Sequence, residues 1–94
     1  MDPELLILVS PASGAKHGYA IMADVAAITG KKLGPGTLYG AIPRLEAAGL
    51  IEAVDSGDRR RPYRLTGRGG EILRERLEAL RGLSNAGLAR LGAT

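Results

Sequence analysis

The sequence predicts a mainly α-helical protein that carries one small β-hairpin. Three observations point there. Four segments repeat apolar residues at helical spacing. Two short apolar stretches flank the turn-forming run Asp55-Ser56-Gly57-Asp58. The 94 residues suffice for one domain, or one small domain with a docking element. They do not suffice for large catalytic folds such as a (β/α)₈ barrel, which need roughly 200 residues or more.

The elements follow in order. Pro3 is a favourable first-turn residue, and Leu5, Leu6, Leu8 and Val9 make a short first helix that Pro11 is expected to end. Ser10 to Lys16 reads as a loop. A second helix spans Gly18 to Thr29, with Ile21, Val25 and Ile28 at i, i+4 and i+7, and Gly30 as its stop. Lys31, Lys32 and Leu33 form a connector or a single-bridge strand. The third helix opens at Pro35, runs to Ala48 and is capped by Gly49. Its core stripe is Leu38, Ile42 and Leu45, and its opposite face is Gly36, Thr37, Gly40, Pro43, Arg44 and Ala47. Leu50 to Val54 is a strand, and Tyr63 to Leu65 returns beside it, with Pro62 where a missing N–H is tolerated. The hairpin tip is Ser56 to Arg61. Thr66 is the N-cap of a fourth helix whose apolar side is Ile72, Leu73, Leu77, Leu80, Leu88 and Leu91. Gly82 and Gly87 are expected to break or fray it, since each costs ~1 kcal/mol relative to Ala.

Composition narrows the function. The chain is 45% hydrophobic but has no Phe, Trp or Cys, and its only aromatics are Tyr19, Tyr39 and Tyr63. The core must be aliphatic. A chain this short buries only roughly 60–65% of its unfolded surface, so a second subunit would add stability. Without cysteine there is no disulfide, thiolate nucleophile or cysteine zinc site. His17 alone makes no histidine metal cluster, and it reads as a structural hydrogen-bonding group rather than a pH switch. Gly34-Pro35-Gly36 follows no strand and lacks the lysine of a phosphate loop. No nucleophile–base pair is visible. The expectation is a non-enzyme with no metal and no cofactor. The longest apolar run, Leu5 to Val9, is far short of the ~20 residues that span a bilayer, and no charged segment precedes it. The expected setting is cytoplasmic, with no membrane partner.

Charge is uneven. Residues 1–58 carry four basic against seven acidic side chains, and residues 59–94 carry nine arginines against three glutamates. Arg59, Arg60, Arg61, Arg64 and Arg68 fall within ten residues that contain no acid. Such a block suits a polyanion. Three helices, a two-stranded hairpin and a further helix match the winged helix-turn-helix architecture, in which the hairpin is the wing beside the DNA-reading helices. The expected division is a DNA-binding domain over 1–66 and a C-terminal helix over 67–94 that dimerises. The alternative is a winged-helix protein–protein interaction module that does not bind DNA. The arginine-rich wing favours double-stranded DNA.

His17-Gly18-Tyr19, Gly34-Pro35-Gly36-Thr37-Leu38-Tyr39, Arg44-Leu45-Glu46, Gly49-Leu50-Ile51 and Tyr63-Arg64-Leu65-Thr66 occur in this order. The series resembles the PadR-like transcriptional regulators over roughly residues 5–80. Each motif is weak alone; five in register are specific. The resemblance implies a dimeric repressor on an inverted-repeat operator. It implies a recognition helix in the major groove, a wing on backbone or minor groove, and first and last helices that build the dimer. With one C-terminal helix the chain is similar to the short form of the family. Pro43 stands where the family has an ordinary helix former, often basic; Gly40 is smaller than usual; Pro11 interrupts the join of the first two helices. Some members bind planar ligands between subunits, so a small-molecule effector of unidentified nature belongs to the expectation, though no Trp or Phe is present to stack on one.

The expected DNA contacts are Lys31 and Lys32 before the recognition helix, and Thr37, Tyr39, Gly40 and Arg44 on it. Arg59, Arg60, Arg61 and Arg64 are expected on the wing. Hydroxyls in the first turns of the helix can donate to phosphate beside the positive end of its dipole. Arg44 can fork onto a guanine edge or bridge to another element. Arg64 reads equally as a contact or an intradomain salt bridge. Small residues on the outer face imply close backbone approach, with specificity leaning on spacing and DNA shape. The expected dimer residues are Leu5, Leu8, Leu73, Leu77, Leu80, Leu88 and Leu91.

Overall fold

A computed structural model of the chain describes residues 2–55, 57 and 61–92. It is a helical body with a two-stranded wing, from which one long helix projects. The order is α1 (Pro3–Val9), a 3₁₀ turn (Ser10–Ser13), α2 (Gly18–Thr29), α3 (Pro35–Ala47), β1 (Ile51–Ala53), β2 (Tyr63–Leu65) and α4 (Gly67–Arg90).

Local chemistry sets most of these boundaries. Asp2 caps α1 by accepting from the Glu4 N–H at 3.0 Å. Pro11 does not terminate the chain's turning. It sits in the first positions of the 3₁₀ turn, where no N–H is required, and is itself buried. α2 ends at Gly30: its N–H still donates to the Ala26 carbonyl, and its left-handed φ of 73° turns the chain that follows off the helix axis. α3 ends in a Schellman motif. Gly49 takes φ 75°, its N–H donates to Glu46, and the Leu50 N–H donates to Leu45 at 3.0 Å. Pro43 lies inside α3, and the helix continues through it without the hydrogen bond that a residue-43 N–H would have given to the Tyr39 carbonyl.

The strands pair antiparallel in the register Ile51↔Leu65, Glu52↔Arg64 and Ala53↔Tyr63. A third stretch joins their edge. Lys16 and Tyr63 exchange both backbone hydrogen bonds, at 3.0 and 2.8 Å. The single-bridge strand expected at Lys31–Leu33 is therefore at Lys16 instead. The sequence signal misled because one residue pairs here only through the position of the wing, not through its own propensity.

The core is aliphatic, as the composition requires. Leu5, Ile7 and Leu8 of α1 pack with Ile21 and Val25 of α2, and with Leu38, Ala41, Ile42 and Leu45 of α3. Leu50, Ile51 and Leu73 close it. Leu5, Leu8 and Leu73 are 6%, 0% and 5% exposed, so this chain's own core uses them and they present almost no surface to a second copy. This corrects their assignment to a dimer face. The i, i+3/i+4 spacing that marks a helix face does not say which body covers it.

α4 is stapled to the body at its start. The Thr66 hydroxyl accepts from the Gly69 N–H at 2.9 Å and donates to the Gly49 carbonyl at 2.6 Å, while the Thr66 N–H donates to the Leu50 carbonyl. From there the helix runs unbroken for 24 residues, about 36 Å. Gly82 and Gly87 do not break it, and helix propensity acts here only as a weak prior. Its projection stretches the molecule to 53 × 26 × 20 Å.

Gly69 is fixed by contact. A Cβ there would stand 2.0 Å from the Leu50 carbonyl oxygen. Gly69→Ala is expected to lower stability by at least about 2 kcal/mol, because backbone must move to admit the methyl group. Gly82 has open space around it. Gly82→Ala is expected to raise stability by about 0.5–1 kcal/mol. Thermal unfolding of the two variants beside the parent checks both signs.

Candidate nucleic-acid interface

α2 packs against α3, and α3 against β1 of the wing. Along α3, Gly36, Thr37, Gly40 and Pro43 are all exposed, and Leu38, Ala41, Ile42 and Leu45 face the core. Up to Pro43 the outward side is therefore built of small residues, and a rod-like partner can come close to its backbone; Arg44 is the long side chain beyond them. Lys31 and Lys32 are exposed on the connector just before it. Among the described residues, neither pairs with a carboxylate, and neither does Arg61 at the wing. Arg61 is exposed; Arg59 and Arg60 lie outside the described residues.

Tyr39 is half-exposed and lies across the start of α2. A Cβ on Gly18 would fall 2.7 Å from the Tyr39 hydroxyl. Gly18 thus gives the Tyr39 ring its seat, and the ring links the first turns of the two helices. Tyr19, one residue further along, is 74% exposed. Sequence reasoning passed over Tyr19 as a surface group. The signal was available, because Tyr19 lies off the Ile21–Val25 stripe in the first turn of α2. On the other side of Tyr39, burial first and then the negative charge of Glu46 hold the Tyr63 phenol above its usual range, so it is a neutral hydroxyl at physiological pH.

Two of the expected contact arginines are engaged within the chain. Arg44 Nε donates to Glu4 Oε1 of α1 at 3.0 Å, and its Nη1 donates to the Gly40 carbonyl at 2.9 Å. Arg64 Nε donates to Glu52 Oε1 at 2.6 Å, directly across the hairpin. A second network fixes the wing edge to α2. Lys16 Nζ donates to the Ser10 carbonyl and the Ser13 hydroxyl, while the Ser10 hydroxyl donates to Asp24 at 2.7 Å. His17 departs from its expected role. Its Nδ1 is buried with no hydrogen-bond partner among the described residues, and only its backbone carbonyl serves, accepting from the Ile21 N–H.

An open groove of about 390 Å³ runs between α2 and the connector, lined mainly by Tyr19, Met22, Ala23, Ala26, Leu33 and Pro35, with Lys32 at its edge. It holds no convergent set of acids, bases or nucleophiles. No group of three His, Cys, Asp or Glu side chains that could hold a metal occurs among the described residues. None of their helices is long and apolar enough to cross a membrane. Beyond the body, α4 exposes Leu77, Leu80, Leu88 and Leu91 at expected positions, and also Leu83, which the sequence reading omitted.

Residues 5–75 match the transcriptional regulator PadR-like family. The chain is 42% identical over 83 residues to an uncharacterised 37.1 kDa protein in transposon TN4556 of Streptomyces fradiae, a match that covers 88% of this chain. It spans only 24% of the length of that relative. Among solved structures, a PadR family transcription regulator from Clostridium difficile R20291 superposes with a TM-score of 0.77 at 27% identity, over 94% of this chain and 95% of the other. A transcriptional regulator from Clostridium thermocellum superposes with a TM-score of 0.78 at 26% identity, over 89% of this chain and 87% of the other. The winged helix fold expected from the sequence is the fold these regulators share.

The Glu52–Arg64 pair is exposed on both sides, so screening limits its worth. Glu52→Gln is expected to cost no more than about 0.5 kcal/mol at low salt and nothing measurable in 1 M salt. Urea unfolding at the two ionic strengths checks this.

Proposed function

The chain belongs to the transcriptional regulator PadR-like family, and from that premise we propose that it is a repressor that binds an inverted-repeat operator in duplex DNA as a homodimer. In this reading α3 enters the major groove and the wing lies along the backbone or minor groove. Lys31, Lys32, Thr37, Tyr39 and Gly40 meet the duplex from the helix pair, and Arg59, Arg60 and Arg61 meet it from the wing. The observation that carries the reading is the pairing of a low-relief, exposed α3 face with flanking cations that have no carboxylate partner among the described residues. A surface made to bind another protein would more typically lose such charges at its centre.

The leucines along α4 supply the second half of the proposal. Leu77, Leu80, Leu83, Leu88 and Leu91 are exposed along a helix that leaves its own body. A contiguous apolar strip of this kind marks an interaction surface. A two-fold pairing of α4 helices would set two α3 helices in opposite orientation. That symmetry is the one an inverted repeat displays, with half-sites about one helical turn apart.

The test uses the full chain and two duplexes, one from upstream of its own coding sequence and one of random sequence. Binding followed between 50 and 200 mM salt is expected to weaken by roughly 10³-fold or more, as phosphate neutralisation releases counterions. Changing Arg59, Arg60 and Arg61 together to Glu is expected to abolish binding at 150 mM salt with an unchanged helical circular dichroism spectrum. Absent or salt-independent binding by the parent would sink the DNA reading. Light scattering supplies the second check: the parent should run as a dimer, and the Leu80→Glu/Leu88→Glu variant as a monomer.

A further inference from the structure

Arg44 occupies the outward side of α3 one turn beyond Gly40, where an arginine in a DNA-reading helix ordinarily addresses a base. Here its guanidinium points elsewhere. Nη1 returns to the Gly40 carbonyl and Nε reaches Glu4 in the first turn of α1. The bond to Gly40 lies over the turn of α3 in which Pro43 withholds a backbone donor, and the bond to Glu4 ties that turn to α1. Glu4 is itself held: its N–H donates to the Asp2 side chain at 3.0 Å, and Asp2 lies 4.0 Å from Arg76 of α4. Two ion pairs, Arg44–Glu4 and Asp2–Arg76, thus meet at the start of α1, joined by the bond from the Glu4 N–H to the Asp2 carboxylate.

We propose that Arg44 is a positioning residue, not a reader of bases. It secures α3 across the Pro43 discontinuity and ties it to α1 through Glu4. It thereby sets the angle at which the Thr37–Gly40 face meets the duplex. This inference rests on the DNA-binding reading above. It assigns Glu4, a residue of α1 outside the helix pair α2–α3, a share in operator affinity. It also means that base discrimination by α3 proceeds without an arginine fork.

The experiment measures binding of the full chain to the duplex from upstream of its coding sequence. It compares Arg44→Gln, Glu4→Gln, the double variant and the charge exchange Glu4→Arg/Arg44→Glu. A set of single base-pair changes is read at several salt concentrations. A positioning role predicts that Arg44→Gln and Glu4→Gln each weaken binding by about two- to fivefold, the range an exposed ion pair supports. The double variant should be no worse than either single one, and the exchange should recover much of the loss. The loss should be uniform across the base-pair changes, with an unchanged salt slope. A base or phosphate contact predicts otherwise: Arg44→Gln would relax preference at particular base pairs or lower the salt slope by about one, and Glu4→Gln would do nothing. That pattern overturns the positioning role and leaves the DNA reading intact. Failure of the parent to bind any duplex overturns the DNA reading and this inference with it.

Discussion

The backbone of Leu50 is the junction on which the architecture depends. Its N–H closes the Schellman motif that ends α3, its carbonyl accepts from Thr66 at the start of α4, and its side chain is in the core. The next residue opens the wing. Three directions are thus fixed at one residue: where α3 stops, where the hairpin leaves and where the long helix departs. Gly69 permits this by bringing bare backbone against the Leu50 carbonyl. A side chain there would push α4 off the body, and both the core seal at Leu73 and the projection of the helix would change with it.

Electrostatics divides the positive charges into two populations. Arg44, Arg64, Arg76 and Arg81 each have a carboxylate within 4.0 Å. These pairs are partly exposed and individually weak, so their value lies in orientation more than in stability. Lys31, Lys32 and Arg61 lack such partners among the described residues, as do Arg68, Arg74 and Arg90 of α4; the first three are exposed on the connector before α3 and on the wing. The acidic balance of residues 1–58 is therefore not a general repulsion against a polyanion. Three of its carboxylates, on Asp2, Glu4 and Glu52, instead face arginines of other elements.

Much of the fold was legible because glycine and proline act locally. Gly18 and Gly30 bounded α2, Pro35 opened α3, Gly49 closed it, and Thr66 capped α4, each through a preference of its own backbone or side chain. Features that depend on distant residues were less legible. Arg44 finds Glu4 forty residues away, and no spacing rule announces that partner. Lys16 becomes a strand only because Tyr63 lies beside it. Leu73 and Leu77 continue one helical stripe, yet the first is in the core and the second is exposed, as α4 draws away from the body. The exposed face of small residues on α3 was visible as a pattern, and a bridge from Arg44 to another element was foreseen, but its partner Glu4 was not.

That boundary within α4 has an energetic consequence. Up to Leu73 the helix is held by tertiary packing; beyond it, the chain must maintain helical structure with little help from its own body. An isolated helical segment of 12–15 residues is marginal in water even with favourable residues. Two glycines in this stretch each remove roughly 1 kcal/mol relative to Ala. The Arg81–Glu78 pair at i, i+3 returns only a few tenths. The same stretch carries most of the exposed leucines, each capable of contributing about 1.5–3 kcal/mol on burial. Intrinsic preference thus disfavours the projecting helix, and burial against an apolar surface would favour it by a larger amount. In the proposed dimer, order and assembly of α4 would be one equilibrium, and the spacing of two α3 faces would be set by the same contacts that keep α4 helical.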